Sequence, residues 1–160
     1  MLLTGTYCRS VDEKHRVAIP KPLREILGCP VGGNLYVAPG TDHSLVIYTE
    51  EVLTRWGERL QQAPPTRRDV RAFIRLFYAQ AQRVELDKQG RIRIPAELAA
   101  QVQLGSEAVL LGVQDHLELW AAERWSQYRS EQQARYDEIA EAAFGPGPGP
   151  ASAPDNRPIP

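Results

Sequence analysis

The sequence predicts an α+β fold built by duplication: two copies of one strand-rich unit, related by a pseudo-two-fold axis within one chain, with helices after each copy. Three observations carry this reading. A ten-residue segment occurs twice, as "VDEKHRVAIP" (11–20) and "LDKQGRIRIP" (86–95), with Asp, Arg, Ile and Pro at matching places; Val11/Leu86 and Val17/Ile92 exchange one aliphatic residue for another. The echo continues where "PGTDHSLVIYTEEVLTRW" (39–56) lies over "LGVQDHLELWAAERWSQY" (111–128), aligning Gly40 with Gly112, Leu45 with Leu117, Ile47 with Leu119 and Tyr48 with Trp120. Each copy also runs from period-two patterning into helical patterning. One copy is too small to enclose a core alone. Two packed about an axis bury both apolar faces and hide the sheet edges.

Each element has its own warrant. The Asp-x-x-x-Arg segments lie between alternating apolar residues, Val84 and Leu86 before, Ile92 and Ile94 after, which predicts a β-hairpin around a short turn. Pro20 and Pro95 end the second strand, because proline cannot donate to a ladder. Short helical turns follow in "PLREILG" and "AELAAQVQLG", each reaching a Gly suited to a C-terminal cap. Next come two strand pairs, "NLYVAP" with "SLVIYT" and "EAVLLGV" with "HLELWA". Thr49 is placed to cap a helix whose first turn is acidic, as the helix dipole favours. Pro64–Pro65 breaks it, and Thr66 with Asp69 predicts a capping box for a further helix whose Val70, Phe73, Ile74 and Phe77 form one apolar face. From 123 to about 143 one polar, acid-rich helix is expected. The predicted organisation is a first repeat with its linker helix over 1–81, a second repeat with a C-terminal helix over 82–144, and a disordered Pro/Gly-rich tail over 145–160.

Composition narrows the function. In 160 residues the formal net charge is −1, so no global basicity advertises a polyanion, and any such site must come from local clustering. No stretch is apolar for long enough to span a membrane, and the first ten residues lack the pattern of a secretion signal. Cys8 and Cys29 have no metal-ligand or redox spacing, which favours two reduced thiols in the cytoplasm. The three histidines, His15, His43 and His116, stand in no metal-ligand pattern, and no nucleophile or nucleotide motif is present. No catalytic residue, metal, cofactor or small-molecule substrate is therefore expected.

Charge does cluster at the repeated segments. Residues 9–25 hold Arg9, Lys14, Arg16, Lys21 and Arg24 against three acids, and residues 83–93 hold Arg83, Lys88, Arg91 and Arg93 against two. Basic side chains on a two-stranded ribbon reach phosphates, and such a ribbon fits the major groove of DNA. Two roles are open to Arg16 and Arg91: contact with DNA, or a bond across the turn to the motif Asp; they can coexist. Asp12 and Asp87 are read as structural, since a phosphate repels a carboxylate. For Arg67, Arg68, Arg71 and Arg75, a solvated face, a subunit contact and a DNA-backbone contact all stay open.

At these residues the chain resembles the MraZ family, bacterial transcriptional regulators encoded at the head of the division and cell-wall gene cluster. The resemblance rests on the two Asp-x-x-x-Arg segments, on "RAFIRLFYAQAQRVELDKQGRIRIP" joining the copies, and on "LLGVQDHLELW". It implies a tandem AbrB-like swapped-hairpin β-barrel, ring-shaped homo-oligomers, and binding to short tandem repeats of double-stranded DNA upstream of the family's own operon, hence a cytoplasmic protein associated with the nucleoid. Asp12, Lys14 and Arg16 match the family's first motif, while His15 stands in place of its Gly and either alters the turn or adds a donor. In the second motif Asp87, Gly90 and Arg91 match, and Gln89 stands where the first copy has Lys14. The expected DNA-binding set is Arg9, Lys14, His15, Arg16, Lys88, Gln89, Arg91 and Arg93, with Asp12, Asp87 and Gly90 shaping the turns. Rival readings are an antitoxin-like swapped-hairpin protein, its acidic helix neutralising a toxin, and a scaffold ring that binds no nucleic acid.

Overall fold

The computed structural model describes residues 1–145; the expected tail, apart from Gly145, lies outside them. Contacts divide the chain into one compact unit, Met1–Trp125, and another from Ser126 onward. In chain order the elements are β1 (Thr6–Ser10), β2 (Arg16–Ala18), α1 (Lys21–Leu27), β3 (Asn34–Pro39), β4 (Leu45–Tyr48), α2 (Glu50–Gln61) and α3 (Arg68–Gln80), then β5 (Gln82–Glu85), β6 (Arg91–Arg93), α4 (Ala96–Gln101), β7 (Glu107–Val113), β8 (His116–Ala121), α5 (Ala122–Gln133) and α6 (Tyr136–Phe144).

The duplication is written into the sheet. Six antiparallel strands run in the order β1-β7-β8-β4-β3-β5, and β2 pairs with β6 in a separate ribbon. Since β5, β6, β7 and β8 are the second-copy equivalents of β1, β2, β3 and β4, this order is unchanged by exchanging the copies. The register obeys the same symmetry. Val17 faces its own counterpart Ile92 in the ribbon. In the large sheet Leu45 faces Leu119 and Ile47 faces Leu117, so the axis passes through the pair Val46–Glu118. Each copy lends its first strand to the other: β1 pairs with β7, and β5 with β3.

That exchange corrects the hairpin expected around each motif. The turns do close, with the Asp12 N–H donating to the Arg16 carbonyl at 3.3 Å and the Asp87 N–H to that of Arg91 at 2.8 Å. Beyond the turn the flanking strands part, and a single bridge, Val11 to Val17, is what remains of pairing within the first motif. The three-residue strands after the turns, each with one buried residue, gain more by pairing across the axis, where Val17 and Ile92 meet at 1% exposure each.

Alternation along the strands separates two apolar clusters. Leu35, Val37, Leu45, Ile47, Leu110, Leu117 and Leu119 point to one face, where they meet Val17 and Ile92, Leu23 and Leu27 of α1, and Leu98 of α4. On the other face Ala38, Val46 and Tyr48 are covered by Val52 and Leu53 of α2 and Phe77 of α3. Trp56 joins this second cluster, stacked against Tyr48 and tilted against Phe77. Burial, with Asp115 and Glu118 nearby, pushes the Tyr48 hydroxyl up to about 12.

Helix ends follow their caps, with three departures from expectation. Thr49 Oγ1 accepts from the Val52 N–H at 3.3 Å, as its type and place require. Gly28 ends α1 in a left-handed conformation, but Gly105 has no such part after α4; Gln103, the direct counterpart of Gly28, takes it at φ 52. The capping rule looked for glycine, whereas the repeat alignment points to the right residue. Thr66 does not cap α3: Arg67 holds the N-cap position with no side-chain bond to the helix, and Asp69 is tied to the Arg67 guanidinium at 2.6 Å instead of completing a box. The single C-terminal helix is two, α5 and α6, separated at Ala134–Arg135, where Arg135 leaves helical geometry (φ −115). No proline or glycine marks that break in the sequence.

The Val17–Ile92 pair generates a prediction. Ile92→Ala removes a fully buried side chain at the axis and should lower stability by about 2–5 kcal/mol, measured by urea unfolding. A reduction under about 1 kcal/mol would show that the ribbon is not part of the cooperative core.

Candidate nucleic-acid interface

The two motifs fold into one construction, repeated. In the first turn Asp12 Oδ1 accepts the backbone N–H of Lys14 at 3.0 Å and of Arg16 at 2.9 Å, while Oδ2 accepts Arg16 Nε at 2.5 Å. In the second, Asp87 Oδ1 accepts from Gln89 and Arg91 at 2.9 Å each, and Oδ2 from Arg91 Nε at 2.9 Å. An Asp folding back on its own backbone is the Asx device that stabilises turns. It explains the spacing: only a residue four positions on offers both N–H and guanidinium to one carboxylate. The backbone N–H of the Arg, then its side chain, hold both carboxyls below the usual Asp range.

The residue before each Arg must take the left-handed conformation. Gly90 does so at φ 76 and His15 at φ 57, so the histidine preserves the turn despite the cost of its Cβ. Gly90 is needed for a further reason, because a Cβ there would lie 2.8 Å from Arg24 Cζ. Arg24 reaches over the second turn from α1, its Nε donating to the Ile19 carbonyl at 3.0 Å. The counterpart of Arg24 in α4 is buried Ala99, on the copy whose partner turn carries His15. The crowded turn residue goes with the small helix residue, and the bare one with the large.

The ribbon then holds the two turns side by side. The Ile19 N–H donates to the Gly90 carbonyl and the Ile94 N–H to that of His15, both at 2.9 Å. Arg91 Nη1 lies 3.9 Å from Asp12 Oδ2, linking one motif to the other. Val17 and Ile92 face inward, so Arg16, Arg91 and Arg93 stand on the outer side of β2 and β6, the first two half-buried and Arg93 exposed. Lys14, Lys88 and Gln89 are exposed at the turn tips, and His15 is half-buried between. Arg9, from β1, donates through Nε to the Cys8 carbonyl at 2.6 Å.

Two clefts flank the ribbon. One, of about 440 Å³, is lined by Cys8, Arg9, Ser10, Asp12, Arg16 and Arg91 among others. The other, of about 630 Å³, contains the second-copy counterparts Arg83, Val84, Glu85 and Arg93, together with Glu97. The first gathers three arginines against one carboxylate; the second, two against two. Arg83 and Arg24 are the contributors that motif reading left out. Their signal was present, since both fall inside the basic clusters, but nothing in the sequence placed Arg24 over the other copy's turn. Among the described residues no group of His, Cys, Asp and Glu is arranged to hold a metal ion. Cys8 and Cys29 are free thiols.

The chain is similar to known proteins over most of its length. Residues 77–146 match the family model described as "MraZ protein, putative antitoxin-like". The transcriptional regulator MraZ of Alkaliphilus oremlandii is 41% identical over 87% of this chain and 94% of its own. That of Lactiplantibacillus plantarum is 39% identical over 86% and 94%, and that of Limosilactobacillus reuteri (strain DSM 20016) 40% identical over 88% and 96%. Among solved structures, the solution structure of PHS018 from Pyrococcus horikoshii aligns with a TM-score of 0.35 and 16% identity, over 72% of this chain and 95% of its own.

Two predictions come from the turns. Because Asp12 is lowered in the fold, its contribution is complete above the ordinary value of 3.8 and is lost as pH falls through the lowered one. The stability gap between the parent and Asp12→Asn, measured by urea unfolding, should therefore close below pH 3.8; a gap that stays constant to low pH would contradict this. Gly90→Ala should cost about 1–2 kcal/mol for the left-handed backbone, plus a clash with Arg24. In an Arg24→Ala background the clash should vanish while the backbone cost stays, so the two substitutions should be non-additive in a double-mutant cycle.

Proposed function

The chain belongs to the MraZ family, transcriptional regulators rather than enzymes, and from that premise we propose that it acts by binding double-stranded DNA through its paired Asp-x-x-x-Arg turns. One observation carries the reading: the two turns are locked against each other across the pseudo-axis, with Arg16, Arg91 and Arg93 on the outer side of one ribbon and Lys14 and Lys88 at its tips. A two-stranded ribbon is narrow enough for the major groove. Each motif Arg uses Nε on its own Asp; the Nη end of Arg16, and that of Arg91 beyond the Nη1 that faces Asp12, can then reach a base or phosphate from a positioned guanidinium. Bracing and reading are then one arrangement.

The strand exchange between copies supports the AbrB-like swapped-hairpin reading, with residues 1–81 and 82–144 as its two repeats. Self-association into a ring would present several turn pairs to repeated promoter boxes upstream of the division and cell-wall cluster. Linkage within the ring raises the effective concentration of each further contact. No cofactor, metal or small-molecule substrate is required, and the setting is the nucleoid of the cytoplasm. The two turns are unequal: the cleft beside the first holds three arginines against one carboxylate and that beside the second two against two, while the tips carry Glu13 and Lys14 in the first and Lys88 and Gln89 in the second. The first turn is the stronger reader.

Binding to DNA from upstream of the gene, followed by fluorescence anisotropy at several salt concentrations, tests this. Lys14→Ala removes an exposed ammonium and should leave the melting temperature unchanged. The slope of log affinity against log salt should become shallower by about one for each phosphate that Lys14 neutralises. Arg16→Ala should cost about 1–3 kcal/mol of affinity per site, and Arg91→Ala less. Undiminished affinity in folded Arg16→Ala and Lys14→Ala proteins would overturn the reading.

A further inference from the structure

The hairpin ends of the two copies are covered differently. In the second copy the segment before β1 runs on beside the turn between β7 and β8. The Gly5 carbonyl accepts from the Gly112 N–H at 3.0 Å, Leu3 and Gln114 exchange backbone bonds of 2.7 and 2.9 Å, and Leu3 is fully buried. In the first copy the pairing of β5 with β3 ends at Gln82 and Val37, because the chain before β5 is α3. The turn between β3 and β4 therefore runs on past its neighbouring strand. Against it, bounded by the end of α4 and the start of α5, lies a cavity of about 470 Å³.

The cavity brings donors and acceptors together. Arg124 of α5 lines it, and its Nε is shut off from solvent with no hydrogen-bond partner among the described residues; a buried donor left in this way is costly. The turn closes through the Ser44 N–H to the Thr41 carbonyl at 3.1 Å, with Asp42 and His43 between them at φ 56 and 62. Two left-handed residues in succession make the tight hairpin turn whose second place glycine fills by preference. His43 bears the cost of a Cβ there and supplies the cavity with an imidazole beside the Asp42 carboxylate. Gln101 commits its Nε2 to Gln80 Oε1, so its own Oε1 remains as an acceptor. We propose that this cavity binds a small organic oxyanion, carboxylate or phosphate, that carries a hydrogen-bond donor at its other end. Arg124 and His43 hold the anion, for which a guanidinium fork is suited; Asp42 and Gln101 accept from the donor. The volume falls within the range of small-molecule sites, about 300–1,000 Å³. None of these residues belongs to the paired turns, so the site is separate from the ribbon.

Thermal unfolding of the full chain against rising concentrations of four probes tests this, with sodium chloride at matched ionic strength as the reference. Glycine and phosphoethanolamine carry an ammonium beside a carboxylate or a phosphate; acetate and ethyl phosphate lack it. At least one ammonium-bearing probe should raise the melting temperature saturably and bind more tightly than its plain counterpart, and the tighter of the two identifies the anion. Arg124→Gln should weaken that binding about tenfold or more. Asp42→Asn should bring each ammonium-bearing probe down to the level of its plain counterpart. His43→Gly puts the preferred residue in the turn, so it should melt no lower than the parent and yet bind more weakly; it decides the matter where Arg124→Gln does not fold. Lys14→Ala, at a turn tip on the ribbon, should bind as the parent does. No effect beyond that of chloride with any probe would overturn the proposal. So would a shift that survives both Arg124→Gln and His43→Gly, or one lost in Lys14→Ala, which would put the anion on the ribbon.

Discussion

One carboxylate with three donors sets the geometry of the molecule. Asp12, and Asp87 after it, takes two backbone N–H groups and a guanidinium from its own turn. That gives both oxygens donors from within the turn itself, and a turn satisfied in this way can be placed at the surface and stay rigid. The turn reverses the chain so tightly that β2 and β6 emerge beside the axis, where Val17 and Ile92 seal the ribbon against the core. The first strand of each copy is released to the other copy's sheet. The same bonds that shape the backbone aim the arginines outward, so structure and candidate recognition share one set of atoms.

Much of this was legible because duplication doubles every signal. The strands β3, β4, β7 and β8 lie where alternation put them, and Leu45, Ile47, Leu117 and Leu119 face the core as their period required. What failed was pairing and punctuation. Alternation around an Asp-x-x-x-Arg turn is the same whether its strands pair with each other or across an axis, so the local pattern favoured the simpler hairpin. At Gln103 a residue other than glycine takes the left-handed cap, and at Ala134 a helix breaks with no breaker. Capping rules describe frequencies, and tertiary context overrides them.

The candidate site was legible by residue type but not by partner. Arg16 and Arg91 stood out as motif residues, and a bond across the turn to Asp12 and Asp87 was one of the two roles open to them. Arg24 did not, because its role depends on α1 of one copy crossing the turn of the other. A contact between copies exchanged in space has no sequence-local signature. The nearest trace is the reciprocal change of size at matched positions, His15 and Ala99 against Gly90 and Arg24.

Fusing two copies permits what a symmetric dimer forbids. On the axis of a homodimer, a residue must face itself. Here the axial pair in the large sheet is Val46 and Glu118. A Glu facing its own copy would set like charges directly opposite, which is destabilising, while Val facing Val would offer no polar function. With the copies free to diverge, one position stays apolar and joins the cluster under α2. The other accepts Trp120 Nε1 at 2.9 Å, lies 3.9 Å from His116 Nε2, and is held below the usual Glu range by that histidine. The same freedom lets His15 and Gly90 meet different helices, and lets Glu13 and Lys14 tip one turn where Lys88 and Gln89 tip the other. Duplication kept the bonds that fix the fold in both copies and relaxed the positions that those bonds do not constrain.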